Sequence, residues 1–250
     1  MQKDSGVAVI ILAAGLGTRM KSDKAKVLHE IMGKPMVLYV VDAAKAVAED
    51  NIILVIGNQA EKVQKIVSKR YNAFFALQEE QLGTGHAVSC AIPSLAEPVE
   101  HVLILCGDVP LIKADTLTRF TKDHLSAKRD ISLLAVQIDD PKGYGRILTD
   151  KNMHLTGIVE EADATEEQKK IKTINTGIYC VRKQFLTEAL QKIKPDNAQG
   201  EFYLTDIIGI GHKKGKHIGV MIGDNPNEVI GINTPHDLAT VEAIMQTGKI

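Results

Sequence analysis

Four times between residues 7 and 128, an apolar run of strand length gives way to a segment with apolar residues at helical spacing. "VAVIILAA" precedes "KPMVLYVVDAAKAVAED", "NIILVIG" precedes "QAEKVQKIVSKR", "NAFFAL" precedes "GTGHAVSCAI", and "HVLILCGD" precedes "ADTLTRFTKDHLSAK". The strand runs lack hydrophobic–polar alternation, and the first is rich in β-branched residues, as strands covered on both faces are. Pro35 falls where a first helical turn tolerates it. The alternation predicts an α/β fold, a Rossmann-like doubly wound sheet that is mostly parallel.

Beyond Asp130 the pattern changes. "ISLLAVQI" reads as a strand, "GRILTD" and "LTGIVEE" as a polar hairpin, and "TINTGIYCV" as another strand. Helical spacing returns in "KQFLTEALQKI", "FYLTDIIGIGHKKG" and the closing "PHDLATVEAIMQTG", with "KHIGVMIG" a strand between the last two. The second half of the sheet is therefore expected to be partly antiparallel. With no repeat, low-complexity tract or long linker, residues 1–250 are expected to form a single domain. Its expected parts are an alternating strand–helix half over about 5–130, a partly antiparallel half over about 131–235 and a closing helix over about 236–248.

Composition narrows the class of partner. A formal net charge of −1 gives no general attraction to nucleic acid or to an anionic membrane, so neither is expected as a partner. Cys90, Cys106 and Cys180 are odd in number and in no C-x-x-C spacing, which fits a reducing compartment. The run 7–14 is preceded by the acidic Asp4 and followed by a glycine-basic segment, unlike a secretory leader. No run approaches the ~20 apolar residues of a membrane span, so a cytoplasmic location is expected.

The first strand enters "AAGLGTRM". A glycine turn after a buried strand can point several N–H groups at an anion. The dinucleotide fingerprint wants a third glycine where Met20 stands, and no Walker A sequence is present. Arg19, with Lys26 seven residues on, adds two cations suited to a triphosphate. A tight surface turn with solvated basic residues is the competing reading. Asp108, at the carboxyl end of the fourth strand, is placed either to hold Mg²⁺ or to cap the following helix. Gln78 offers an amide, and Gly83 and Thr84 offer backbone groups, that match the edge of a base; Thr84 also reads as a plain helix start. Glu161, Asp163, Glu166 and Glu167 read as a solvated charge run.

The stretch "LAAGLGTRMKSDKAKVLHEIMGKP" resembles the signature of the sugar-nucleotide pyrophosphorylases, with Ala25 where that family usually has proline before its lysine. "LQEEQLGTGHA", "LCGDVPLI", "GYGRI", "GIVEEADATEEQKKIKTINTGIY", "NAQGEFYLTDII" and "VIGIN" follow in register. Together they are similar, over nearly the whole chain, to the pyrophosphorylase half of the bacterial N-acetylglucosamine-1-phosphate uridyltransferases.

The resemblance implies a nucleotidyltransferase that makes UDP-N-acetylglucosamine and pyrophosphate from UTP and N-acetylglucosamine 1-phosphate with Mg²⁺, in the service of cell-wall biogenesis. It implies catalytic roles for Arg19, Lys26 and Asp108, with Asp108 and Asn233 as metal ligands. Leu12, Ala13, Ala14, Gly15, Gln78, Gly83, Thr84, Cys106 and Gly107 would line the nucleotide; Gly145, Glu160, Asn175, Tyr203 and Thr205 would line the sugar. Within this reading Asn175 would bond both a hydroxyl and the acetamido group, with Tyr203 and Thr205 flanking the latter. His86 would be a packing or supporting group, because the transfer needs no imidazole.

The alternatives are a pyrophosphorylase for another sugar phosphate or base, such as a glucose-1-phosphate thymidylyltransferase, and an inactive regulatory subunit of the same fold. The bifunctional relatives add a β-helix of hexapeptide repeats for acetyl transfer. No such repeat occurs before Ile250, so no acetyltransferase activity is expected. No oligomeric state is implied.

Overall fold

The computed structural model describes residues 6–248; Asp4 and Ile250 lie outside the described residues. The chain opens with β1 (Val7–Ala13), followed by a two-residue hairpin of β2 (Glu30–Ile31) and β3 (Lys34–Pro35) that the sequence pattern does not announce. Then come α1 (Met36–Ala48), β4 (Ile52–Ile56), α2 (Ala60–Ser68), β5 (Phe74–Leu77), α3 (Thr84–Ala91), β6 (His101–Cys106) and α4 (Ala114–Ser126). The second half comprises β7 (Ile131–Gln137), β8 (Arg146–Thr149), β9 (Leu155–Val159), α5 (Glu166–Lys169), β10 (Thr173–Arg182), α6 (Lys183–Leu190), α7 (Asp206–Lys213), β11 (Ile218–Ile222) and α8 (Pro235–Thr247).

Nine strands form one sheet, whose main path runs β11-β7-β10-β6-β1-β4-β5, with β8 and β9 attached beside β10. The pairs β1–β4, β1–β6, β4–β5 and β7–β11 are parallel. Strand β10 is antiparallel to both β6 and β7, and β8 and β9 form the expected antiparallel hairpin. The sheet is thus mixed α/β and mostly parallel, with its antiparallel pairings in the second half.

Burial explains the unbroken apolar runs. On β1, Val7, Val9, Ile11 and Ala13 face one apolar layer with α1, α4 and α8, while Ala8 and Ile10 face a second layer with α3, α6 and α7. With helices on both sides, neither face of the strand has a use for a polar side chain.

The chain leaves β1 toward β4 and β5 on one side, then returns through α3 to β6 on the other. The connections after β1 and after β6 therefore diverge and leave a crevice beyond the carboxyl ends of two neighbouring strands, where open α/β sheets bind ligands. The glycine turn and Gly107–Asp108 form its two lips. Strand β6 itself stops at Cys106, two residues short of Asp108.

Among the described residues no helix is long and apolar enough to cross a membrane.

Candidate active site

Backbone geometry sets the first lip of the crevice. After β1 the chain turns at Gly17 (φ 66°) into a single 3-10 turn, Thr18–Met20, that buries Met20 and leaves Arg19 exposed. A methyl group on Gly17 would lie 2.6 Å from Cβ of Lys26, so this position needs glycine for its left-handed φ and for close approach. Lys26 begins a second 3-10 turn whose Val27 and Leu28 are buried, fixing the base of its side chain. Ala25, in the usual proline's place, is itself buried and holds φ −53° and ψ 133°, a conformation proline also adopts. The substitution therefore leaves the approach to Lys26 unchanged in shape.

The second lip is tied to the first. Gly107 N–H donates to the Leu12 carbonyl at 2.9 Å, and the Asp108 carbonyl accepts from Ile232 N–H at 2.9 Å. That last bond brings in a distant segment, "GIN", whose Asn233 immediately precedes the capping box of α8. One carboxylate oxygen of Asp237 accepts from the N–H groups of both Asn233 and Thr234, at 2.9 and 2.8 Å.

The four residues that converge here start from positions as far as 214 apart in sequence. The Lys26 ammonium meets Asp108 Oδ2 at 2.5 Å and Asn233 Oδ1 at 3.1 Å, and Arg19 Nη2 reaches the same Asn233 oxygen at 3.0 Å. The Lys26 and Asp108 side chains are only 15% and 18% exposed, so the pair is poorly screened. Two hard oxygen donors that face one cation, with the rest of the shell open, suit Mg²⁺, which favours few protein oxygens and keeps sites for phosphate and water. Among the described residues no group of three or more His, Cys, Asp or Glu is placed to hold a metal without such help.

The residues expected at the base lie beside the same crevice. Gln78 is buried at the end of β5, and its NH₂ donates to the Gly83 carbonyl (3.2 Å) and faces His86 Nδ1 (3.1 Å). Gly83, not Thr84, is the N-cap of α3; its φ of 110° and the backbone of Phe202 packed against it exclude a side chain. Thr84 is the first helical residue, and its hydroxyl accepts from Leu204 N–H at 3.0 Å. The Thr84 hydroxyl thus ties α3 to the segment before α7, while the residue itself stays exposed at the start of the helix.

In the second half, Asn175 N–H donates to the Gly145 carbonyl at 2.8 Å, and Glu160 packs against Gly145 and bonds to Thr205. Burial raises the Glu160 pKa, with the Thr205 hydrogen bond opposing and Asp163 and Asp206 adding to the rise. Asn175 is partly engaged within the protein. A bulge in β10 turns its Oδ1 onto Gly177 N–H and the Tyr179 hydroxyl, both at 2.9 Å, which leaves its NH₂ as the group open to a ligand.

Tyr203 is likewise engaged within the protein. Its hydroxyl donates to Gln199 Oε1 at 2.9 Å, and burial, Asp163 and Glu160 push its pKa up to about 12, so it braces its own loop. The Lys26–Asp108 cluster and the Glu160 cluster adjoin at Cys106. Its thiol is pushed up to about 12 by burial, then by Asp108, with Lys26 opposing and Glu160 adding. Leu12, Ala13, Ala14 and Gly15 lie along the end of β1 and the turn that leaves it, with only Gly15 fully exposed.

Sequence reasoning missed the contacts of two residues in the acidic run, Glu161 and Asp163. Glu161 accepts from Arg146 Nη2 at 2.7 Å and from Gly143 N–H at 3.2 Å; Arg146 is 1% exposed. Asp163 accepts from Ala198 N–H at 2.8 Å and fastens the loop that carries Tyr203. Only Glu166 and Glu167 behave as a solvated face, in i,i+3 pairs with Lys169 and Lys170. Arg146 beside the apolar Ile147 and Leu148 of β8 was the available signal, since a buried guanidinium requires an anion. Two surface depressions lie elsewhere, one beside Lys24, Lys62 and Lys65 and one beside Arg182 and Glu188. Neither includes these groups, and the chemistry of the crevice outweighs their size.

Residues 9–171 match the MobA-like NTP transferase domain family. The chain is 47% identical over 251 aligned residues to the bifunctional protein GlmU of Geotalea uraniireducens, covering 98% of this chain and 54% of that protein. It is 43% identical to the bifunctional protein GlmU of Desulfotalea psychrophila, covering 97% of this chain and 71% of that one. The chain thus spans about half the length of several curated relatives it matches. In fold it is similar to a Bacillus anthracis protein described as a glucose-1-phosphate thymidylyltransferase, with a TM-score of 0.74 at 19% identity, covering 95% of this chain and 94% of that one.

Proposed function

Because the chain belongs to the MobA-like NTP transferase family, we propose that it is a nucleotidyltransferase that joins UTP and N-acetylglucosamine 1-phosphate into UDP-N-acetylglucosamine, releasing pyrophosphate. The observation that carries this reading is the meeting of Asp108, Asn233, Lys26 and Arg19 beyond the ends of β1 and β6. The relatives that carry the name GlmU favour the acetamido sugar and the uridine nucleotide over other pairs.

The nucleophile is an oxygen of the sugar phosphate, which attacks the α-phosphorus in line as pyrophosphate departs. A phosphate monoester loses its second proton near pH 6, so it arrives as a dianion and no general base is needed. The obstacle is charge: at about 4 Å and an effective dielectric of 20, each pair of unit charges repels by about 4 kcal/mol. Asp108 and Asn233 would hold Mg²⁺, which supplies positive charge between the two phosphates. Lys26 now satisfies an oxygen of each, Arg19 only that of Asn233, and with a triphosphate present both cations gain phosphate oxygens to bind. They stabilise the negative charge that builds on the leaving pyrophosphate. The N–H groups of the glycine turn hold the phosphate chain in place, and the Asn175 NH₂ and the Glu160 carboxyl orient the sugar.

The test is pyrophosphate release by the purified chain with UTP and N-acetylglucosamine 1-phosphate, set against dTTP, glucose 1-phosphate and omission of Mg²⁺. Turnover that needs Mg²⁺ and is fastest with the first pair is expected. Turnover fastest with dTTP and glucose 1-phosphate would replace the substrate assignment, and no turnover with any pair would refute it.

A further inference from the structure

The Gln78 amide can offer a ligand either a donor or an acceptor, and its surroundings decide which. The Gly83 carbonyl can only accept, so the group 3.2 Å from it is the NH₂. The same nitrogen lies 3.1 Å from His86 Nδ1, so that ring nitrogen must be the unprotonated one. The proton then sits on Nε2, which faces Cys90 Sγ at 3.8 Å, one turn along α3. Both amide hydrogens are thereby used within the protein.

The remaining oxygen, Oε1, has no hydrogen-bond partner among the described residues. It is also not among the polar atoms sealed from solvent without a partner, which are His29 Nε2, Thr121 Oγ1 and Arg146 Nε. The backbone of Gln78 is held as well: its N–H donates to the Ile56 carbonyl at 2.8 Å and its carbonyl accepts from Gln81 Nε2 at 3.1 Å.

We infer that His86 is a positioning residue for base selection: it holds the Gln78 amide so that only an acceptor faces the nucleotide, which favours a base with a ring N–H over one with a bare ring nitrogen. Uracil presents such an N–H at N3; cytosine presents a lone pair there, which would face the lone pairs of Oε1. The inference rests on the reading that Gln78 meets the base. Without the imidazole, one amide hydrogen loses its partner and can turn to the ligand, so the site accepts either kind of edge.

The test compares kcat/KM for UTP and for CTP, with N-acetylglucosamine 1-phosphate and Mg²⁺, in the unaltered chain, His86→Ala and His86→Asn. His86→Ala is expected to lower the UTP-to-CTP ratio about tenfold, the weight of one hydrogen bond, mainly through KM for UTP with kcat little changed. His86→Asn places a carboxamide oxygen near Nδ1 and is expected to restore most of the ratio. NMR of the imidazole nitrogens should show Nδ1 without a proton at neutral pH, a readout that does not depend on turnover. Equal losses for both nucleotides in His86→Ala, no recovery in His86→Asn, or a proton on Nδ1 would each overturn the role of His86 while the transferase reading stands. No turnover of UTP or CTP by the unaltered chain would overturn the transferase reading, and this inference with it.

Discussion

At the scale of single residues, the site is a set of charges that neutralise each other until substrate arrives. Asp108→Asn keeps the shape of the side chain but removes the charge that draws a metal. It is expected to lower kcat about 10²-fold or more in the pyrophosphate-release assay. Equal activity at saturating Mg²⁺ would contradict the metal assignment. Lys26→Ala should raise KM for UTP and lower kcat, since in the proposed mechanism the ammonium serves both binding and the leaving group. Arg146 is a structural counterpart. Glu161→Gln would take the paired carboxylate from its buried guanidinium and is expected to cost about 1–2 kcal/mol, read as a lower denaturant midpoint. Most residues of the candidate site could be named from sequence, but not their hydrogen-bond state. The Asn175 oxygen and the Tyr203 hydroxyl are engaged inside the protein because a bulge and a loop turn them there, and neither feature leaves a trace in residue order.

At the scale of elements, turns and caps hold the reactive groups. Gly17→Ala forces an L side chain into a left-handed φ and against Lys26. The strain should cost about 1–2 kcal/mol, and activity should fall further than that because Lys26 is displaced. The start of α8 acts similarly on Asn233. Asp237→Ala removes the oxygen that accepts from Asn233 and Thr234 and is expected to cost about 1 kcal/mol of stability, with a weaker apparent affinity for Mg²⁺ in titrations of activity. The helices and strands of the sheet were legible because period and burial agree along each. The β2–β3 hairpin and the single-turn helices were not, since two or three residues are too few to establish a period.

At the scale of the whole molecule, a buried polar chain ties α4 to the sheet. His101 Nδ1 and His124 Nε2 are 2.9 Å apart, and His124 Nδ1 faces Ser132 Oγ at 2.8 Å. Burial lowers the His124 pKa to about 4, with His101, Arg129 and Arg182 also lowering it and Asp123 opposing. His101 is lowered too, by burial and then by Arg182, against Glu100. An unfolded histidine binds its proton near pH 6.5, so the unfolded state takes up protons first as pH falls. Stability from this pair should be complete above about pH 6.5, decline as pH drops toward 4 and level off below, by about 3 kcal/mol for His124. Denaturant midpoints measured across that range check the sign, and a midpoint that rises with acidification would refute it.

Residue order alone determined the layered α/β class, the strands and helices of the sheet, and the list of groups with chemistry to offer. It could do so because burial and period act locally along the chain. Which of those groups meet was decided only by the tertiary structure. Asp108 and Asn233 come to share one ammonium because the order of strands in the sheet opens a crevice beside β1 and because Ile232 bonds back to the Asp108 backbone. Contacts between residues so far apart depend on how the chain crosses from one side of the sheet to the other, and no local pattern encodes that crossing.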